Sequence, residues 1–207
     1  MSTVPPGSES TRSLLLKQLR APGPGGSPVG SPEQVRALIE TLEQEQPADL
    51  SRDQELLRGV WELRWSSSSL PYLAVAPWLE NLQLLDPANG RGMNLLRLAG
   101  PLGPIAGIAV QAAIGIEPAA DVSATAAANE PAIGPSQRVS VRFVRGGWLG
   151  PRFGQGRLQL LREVKQSFPA WLDITVVDAE IRVCRGNAGT LFALLRRPDL
   201  SLESLMD

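Results

Sequence analysis

Histidine does not occur in the 207 residues of this chain, and cysteine occurs once. The first absence removes the commonest general base and the commonest metal ligand. The second rules out an internal disulfide, so Cys184 is expected as a core thiol of a protein kept in a reducing compartment. An excess of one charge is also missing. Twenty basic residues against 21 acidic ones leave a net charge of -1, with no electrostatic footprint for nucleic acid and no polybasic membrane anchor. The opening MSTVPPGSES has neither the charged and apolar regions of a secretory signal nor the arginine-rich amphipathic character of a transit peptide, so the mature protein is expected to begin close to Met1. One apolar run, 99–116, has the length of a membrane span. Pro101, Pro104, four glycines and Gln111 interrupt it and favour a loop entering a buried strand. The hydroxyls of Ser66 to Ser69 have no histidine to activate them, and Asp178 with Glu180 reads as turn chemistry and solvated charge. No catalytic residue, metal site or cofactor is expected.

What is present begins with helices. Ser10 or Thr11 can cap a short helix carrying Leu14, Leu15, Leu16 and Leu19, which the proline- and glycine-rich stretch 21–32 breaks. Ser31, Pro32 and Gln34 supply the N-cap, first position and capping-box partner of a second helix, whose Val35, Leu38, Ile39 and Leu42 form one apolar stripe. Pro47 stops it. A third short helix, capped at Ser51 with Gln54, is ended by Gly59. These elements and their linkers make up residues 1–50 and the entry to a barrel assigned to 51–197, with 198–207 as a tail.

From Val60 the period falls to two. In VWELRWS, alternation puts Trp61, Leu63 and Trp65 on one face of a half-buried strand. Further strands are expected at 82–85, 93–98, 105–116, 122–128, 138–144, 157–162 and 171–177, with turns at 86–92, 129–136 and 146–154. The segment EIRVCRGNAGTLFALL, 180–195, has two readings. As a phosphate cradle it lacks the Walker spacing, the lysine and a following helix. As a hairpin every residue fits, with Gly and Asn taking the positive-φ positions of the connection. About nine or ten short strands without crossover helices make an antiparallel meander, and a sheet that long closes into a barrel to abolish its edges. The fold class is therefore mainly β, a lipocalin-like antiparallel barrel with short N-terminal helices.

Two segments resemble a known family, the plastid lipid-associated proteins or fibrillins. LLRGVWELRWSSS, 56–68, is similar to the family's opening strand with its Gly-x-Trp. WLDITVVDAEIRVCRGNAGTLFALLRR, 171–197, resembles its terminal pattern of Arg, an apolar residue, any residue and Arg-Gly-Asn-x-Gly before an aromatic strand; Val176 stands where the family often has Tyr. The resemblance implies peripheral association with thylakoid membranes or lipid bodies and binding of lipids, carotenoids or prenylquinones such as plastoquinone. Together with the chain's start it points to a cytoplasmic, cyanobacterial member.

A hydrophobic carrier also follows from the residues. The strands between 105 and 128 are dominated by Ala, Gly, Val and Ser, which cannot fill a barrel lumen. Trp61, Leu63, Trp65, Phe143, Trp148 and Phe192 are expected to line the resulting cavity. Burying a few hundred Å² of ligand at about 25 cal/mol per Å² contributes on the order of 10 kcal/mol before association costs. Trp61 fits better the role of a tryptophan closing the barrel floor, together with Gly59, Arg182, Arg185, Gly186, Asn187 and Gly189, and Arg182 or Arg185 is expected to stack over it. The competing reading is a protein-interaction scaffold, in which the N-terminal helices dock on a thylakoid complex or an isoprenoid or quinone biosynthetic enzyme; an enzyme of isoprenoid metabolism ranks third.

Overall fold

The computed structural model describes residues 9–20, 30–70, 75–103, 105–118, 136–154 and 156–206. Three helices precede the sheet: α1 (Thr11–Arg20), α2 (Pro32–Glu45) and α3 (Leu50–Leu57). The Ser31–Gln34 capping box of α2 forms in both directions. The cap of α3 is Asp49, whose carboxylate accepts from the Ser51 N–H at 3.1 Å; an aspartate two residues earlier thus takes the role expected of Ser51.

Nine strands follow among the described residues: β1 (Gly59–Ser66), β2 (Leu79–Asp86), β3 (Arg91–Leu98), β4 (Gly107–Ile116), β5 (Arg138–Phe153), β6 (Gly156–Glu163), β7 (Ala170–Val177), β8 (Ile181–Gly186) and β9 (Leu191–Arg196). All pair antiparallel, in the order β4-β3-β2-β1-β9-β8-β7-β5, and β5 pairs back onto β4. Eight strands therefore close into a barrel. β6 lies outside the ring, beside the second half of β5 only. The segment 180–195 is a hairpin, with the Gly186 N–H donating to the Thr190 carbonyl at 2.8 Å. A strand at 122–128 lies outside the described residues.

Two further expectations fail, each for a local reason. The turn expected at 146–154 is the second half of β5. A Cβ on Gly147 would lie 2.1 Å from the Leu160 carbonyl oxygen, so the glycine admits close strand pairing where it had suggested a turn. Pro151 falls in the register shift between Leu149 and Arg152, where no ladder N–H is needed. The second failure is in β1. A bulge at Arg64 separates the pairs Leu63–Leu194 and Trp65–Ala193, so strict alternation breaks. Trp61 and Leu63 point into the lumen cluster, whereas Trp65 joins the outer one.

Three apolar clusters hold the fold together. On the outer wall of β1, β7, β8 and β9, Trp65, Val183, Leu191 and Ala193 pack under Leu15, Leu19, Val35, Ile39 and Leu42 of α1 and α2. Inside the barrel, Trp61, Leu63, Ile174, Cys184, Phe192 and Leu194 pack above Leu50 and Leu57 of α3, which plugs one end. On the opposite outer wall, Leu82, Leu84, Met93, Leu95 and Leu149 are covered by Leu202 and Leu205 of a short helix, α4 (Leu202–Met206). The barrel is thus closed at the α3 end and braced on two sides, and at its other end the described residues leave a mouth. Among the described residues no helix is long and apolar enough to cross a membrane.

Candidate functional site: the barrel lumen

The closed end is organised around Trp61, which has no exposed surface. Its indole N–H donates to the Leu57 carbonyl at 2.9 Å, tying floor to plug. Two guanidinium groups flank the ring: Arg196 at 4.2 Å and Arg182 at 5.2 Å from its centroid. Arg196 also donates to the carbonyls of Arg58 at 2.7 Å, of Ala179 at 2.8 Å and of Leu56. It therefore ties the last strand across the floor to the first. The geometry requires Gly59, whose φ is 139° and whose added Cβ would lie 2.6 Å from Arg196 Nη1.

Above this floor is a cavity of about 320 Å³, lined chiefly by apolar side chains. Val110, Ala112 and Ile114 come from β4, Val141 and Phe143 from β5, Leu172 from β7 and Phe192 from β9; Gln83 and Asn94 are the polar members from β2 and β3. Small residues leave this space: Gly92 of β3 pairs with Ala112 of β4, so those two positions contribute little volume beside Phe143. Leu70, Phe168, Asn187, Ala188 and Thr190 surround the mouth.

The residues singled out from the sequence divide among four places. Phe143 and Phe192 line the cavity. Trp61 and Leu63 belong to the packed core of the lumen. Trp65 is outside, against α1 and α2, because of the β1 bulge. Trp148 lies on an exposed ledge beyond the cavity, 37 % exposed. Of the barrel-closing set, Gly59, Trp61 and Arg182 meet at the floor. Arg185 instead points outward, its Nε donating to Glu43 of α2 at 2.9 Å; residues 182 and 185 fall on opposite faces of a strand with period two. Gly186 lines the cavity mouth, Asn187 donates to the Pro169 carbonyl at 3.3 Å, and Gly189 occupies the left-handed position of the turn with φ 73°.

Sequence reasoning missed Arg196 and Gln83. The first could have been found from register, because the end of the last strand returns beside the Gly-x-Trp of the first. Gln83 carries its own signal as the one amide in the run LQLL. Burial depresses the basicity of Arg182 and pushes the Cys184 thiol above its ordinary range, the latter only partly offset by the neighbouring guanidinium. Among the described residues no group of three metal-ligating side chains converges.

An eight-stranded antiparallel barrel with one plugged end, a tryptophan floor and an apolar cavity belongs to the class of barrels whose interior has room for one small ligand. The model of the PAP_fibrillin family matches residues 28–195, a span that begins before α2 and ends inside β9, and the chain belongs to that family. No curated protein and no solved structure matches the chain.

Proposed function

We propose that this protein is a non-catalytic carrier that takes one end of a lipid, carotenoid or prenylquinone into its barrel at the surface of a photosynthetic membrane. The cavity left by the small residues of β3 and β4 carries this reading. At about 30 Å³ per water-sized group, it holds on the order of ten heavy atoms. That is a ring or a short chain segment, with the rest of a long isoprenoid leaving past Leu70 and Phe168. Residues 51–197 form the carrying unit in this reading; α1 and α2 of the 1–50 region cover one wall and α4 of the 198–207 tail braces the other. A protein partner would have to use the polar side of the N-terminal helices, since their leucine and isoleucine faces already pack on the barrel.

The same reading assigns the open rim to the membrane. The exposed large apolar side chains collect there: Leu70, Trp78, Leu98, Ile105, Phe153 and Phe168 beside strand ends, and Ile108, Trp148, Leu158 and Leu160 on the β4–β5–β6 ledge. Residues 138–165 hold seven basic side chains and one acidic one, a local excess complementary to anionic lipid that the net charge of the whole chain conceals.

The test is organic extraction of the protein purified from a pigmented host, followed by mass spectrometry. Near-stoichiometric pigment, quinone or lipid is expected. A clean extract from folded protein overturns the carrier reading.

A further inference from the structure

We infer that the guest is a single-chain amphiphile with a carboxylate head, and that Arg182 receives that head. This rests on the carrier reading above and names the chemistry of its ligand.

Arg182 extends from β8 into the lumen and has 0 % exposure. Its Nη2 donates to Gln83 Oε1, while Nε and Nη1 have no acceptor. Its other neighbours are the Trp61 ring, the Cys184 thiol and Arg196, a second cation whose own donors go to main-chain carbonyls. No carboxylate among the described residues forms an ion pair with it. Buried charges in proteins are paired, and here no described residue supplies a counter-charge within ion-pair distance. Among the described residues Arg182 is the one arginine that is fully buried; Arg97, whose side chain is 10 % exposed, meets Glu80 at 2.6 Å.

Gln83 connects the cation to the cavity, because it both lines the cavity and holds the guanidinium. With its Oε1 occupied, its amide N–H groups donate to nothing among the described residues and are available to a ligand. Arg182 lies behind Gln83 and does not itself line the cavity, so a carboxylate placed beside Gln83 accepts from that amide and reaches the N–H groups of Arg182 by displacing the Gln83 oxygen, in the fork geometry guanidinium favours. The chain of the amphiphile then lies against Val110, Phe143, Leu172 and Phe192 and leaves through the mouth.

The experiment is isothermal titration of the purified full-length protein with decanoate, decanol and a decyl-substituted benzoquinone, which share a tail matched to the cavity. The wild type is expected to bind decanoate at least about tenfold tighter than decanol, the scale of one charge-assisted pairing. Arg182→Met should abolish this preference and leave decanol binding intact, while melting no lower than the wild type, because it removes an unpaired buried charge. Arg196→Met should melt lower and keep the preference. Equal binding of decanoate and decanol by the wild type overturns the head-group assignment and leaves the carrier reading standing. So does a preference that survives Arg182→Met. A quinone that binds as tightly as decanoate and equally depends on Arg182 overturns the anionic class. Failure of all three probes to bind overturns the carrier reading itself. If Arg182→Met does not fold, the wild-type comparison of acid with alcohol still decides.

Discussion

At Cys184 the thiol is enclosed by β7 and β9 and pushed up by burial, and only the thiolate reacts quickly. Alkylation by iodoacetamide at pH 8 is therefore expected to run at least about a hundredfold slower than for a free thiol, reaching the free rate only in denaturant. Rapid labelling of the native protein would show that the inner face of β8 opens to solvent. Gly59 offers a second test. Alanine there must adopt φ 139° and displace Arg196 from Trp61, so Gly59→Ala should cost about 1–3 kcal/mol in urea unfolding. The two polar lumen residues differ in how they could be read from sequence. Gln83 stands out within an apolar run and was nevertheless missed, whereas Arg182 is expected over Trp61 as an alternative to Arg185, and the neighbouring strands show that 182 is the inward one.

At the scale of elements, α1 is fastened to the β7–β8 turn by ions. Arg12 donates to Asp178 at 2.6 Å and to Glu180 at 2.8 Å, and Arg20 also pairs with Glu180. Burial pushes the Asp178 carboxyl up, but hydrogen bonds from Arg12 and from the N–H groups of Glu180 and Ile181 more than reverse this, leaving it below the ordinary value. A depressed folded pKa contributes stability above the unfolded value, near 4, that is lost as pH falls through the folded one. Hydrogen exchange in α1 should therefore accelerate relative to the barrel below about pH 4. Arg12→Met should remove this dependence and lower Tm at pH 7 by about 2–4 °C, since the pair is partly exposed and contributes about 1 kcal/mol. An unchanged α1 exchange profile in the variant would mean that packing alone holds the helix.

The elements also show what periodicity can and cannot reveal. The capping box, the hairpin at 180–195 and most strand positions were readable because each rests on neighbouring residues. The side assigned to Trp65 was not, because one bulge residue at Arg64 inverts everything after it. The glycines of 146–154 had two meanings, a turn or close strand approach, and only the position of Leu160 decides between them. The cavity was legible in kind, from the small residues of β4, but its walls depend on which strands face each other across the barrel.

For the molecule as a whole, the polarity between a plugged end and an apolar, basic rim gives the clearest prediction. Phe153 and Leu160 are 68 % and 72 % exposed, so the double variant Phe153→Asp, Leu160→Asp should shift stability by no more than about 1 kcal/mol. In flotation assays it should lose at least about fivefold in binding to vesicles rich in anionic lipid. Wild-type binding to neutral vesicles should be weak, and raising salt should lower binding to anionic ones. Unaltered flotation of the double variant would place the contact on another face. The ledge that runs from Val110 in the lumen through Ile108 and Trp148 to Leu160 follows one face of three paired strands. On the carrier reading, a molecule leaving along that path would meet hydrocarbon before solvent, and handover is expected to be collisional. Its rate should climb in proportion to the concentration of acceptor vesicles, where release into water would give a rate indifferent to it.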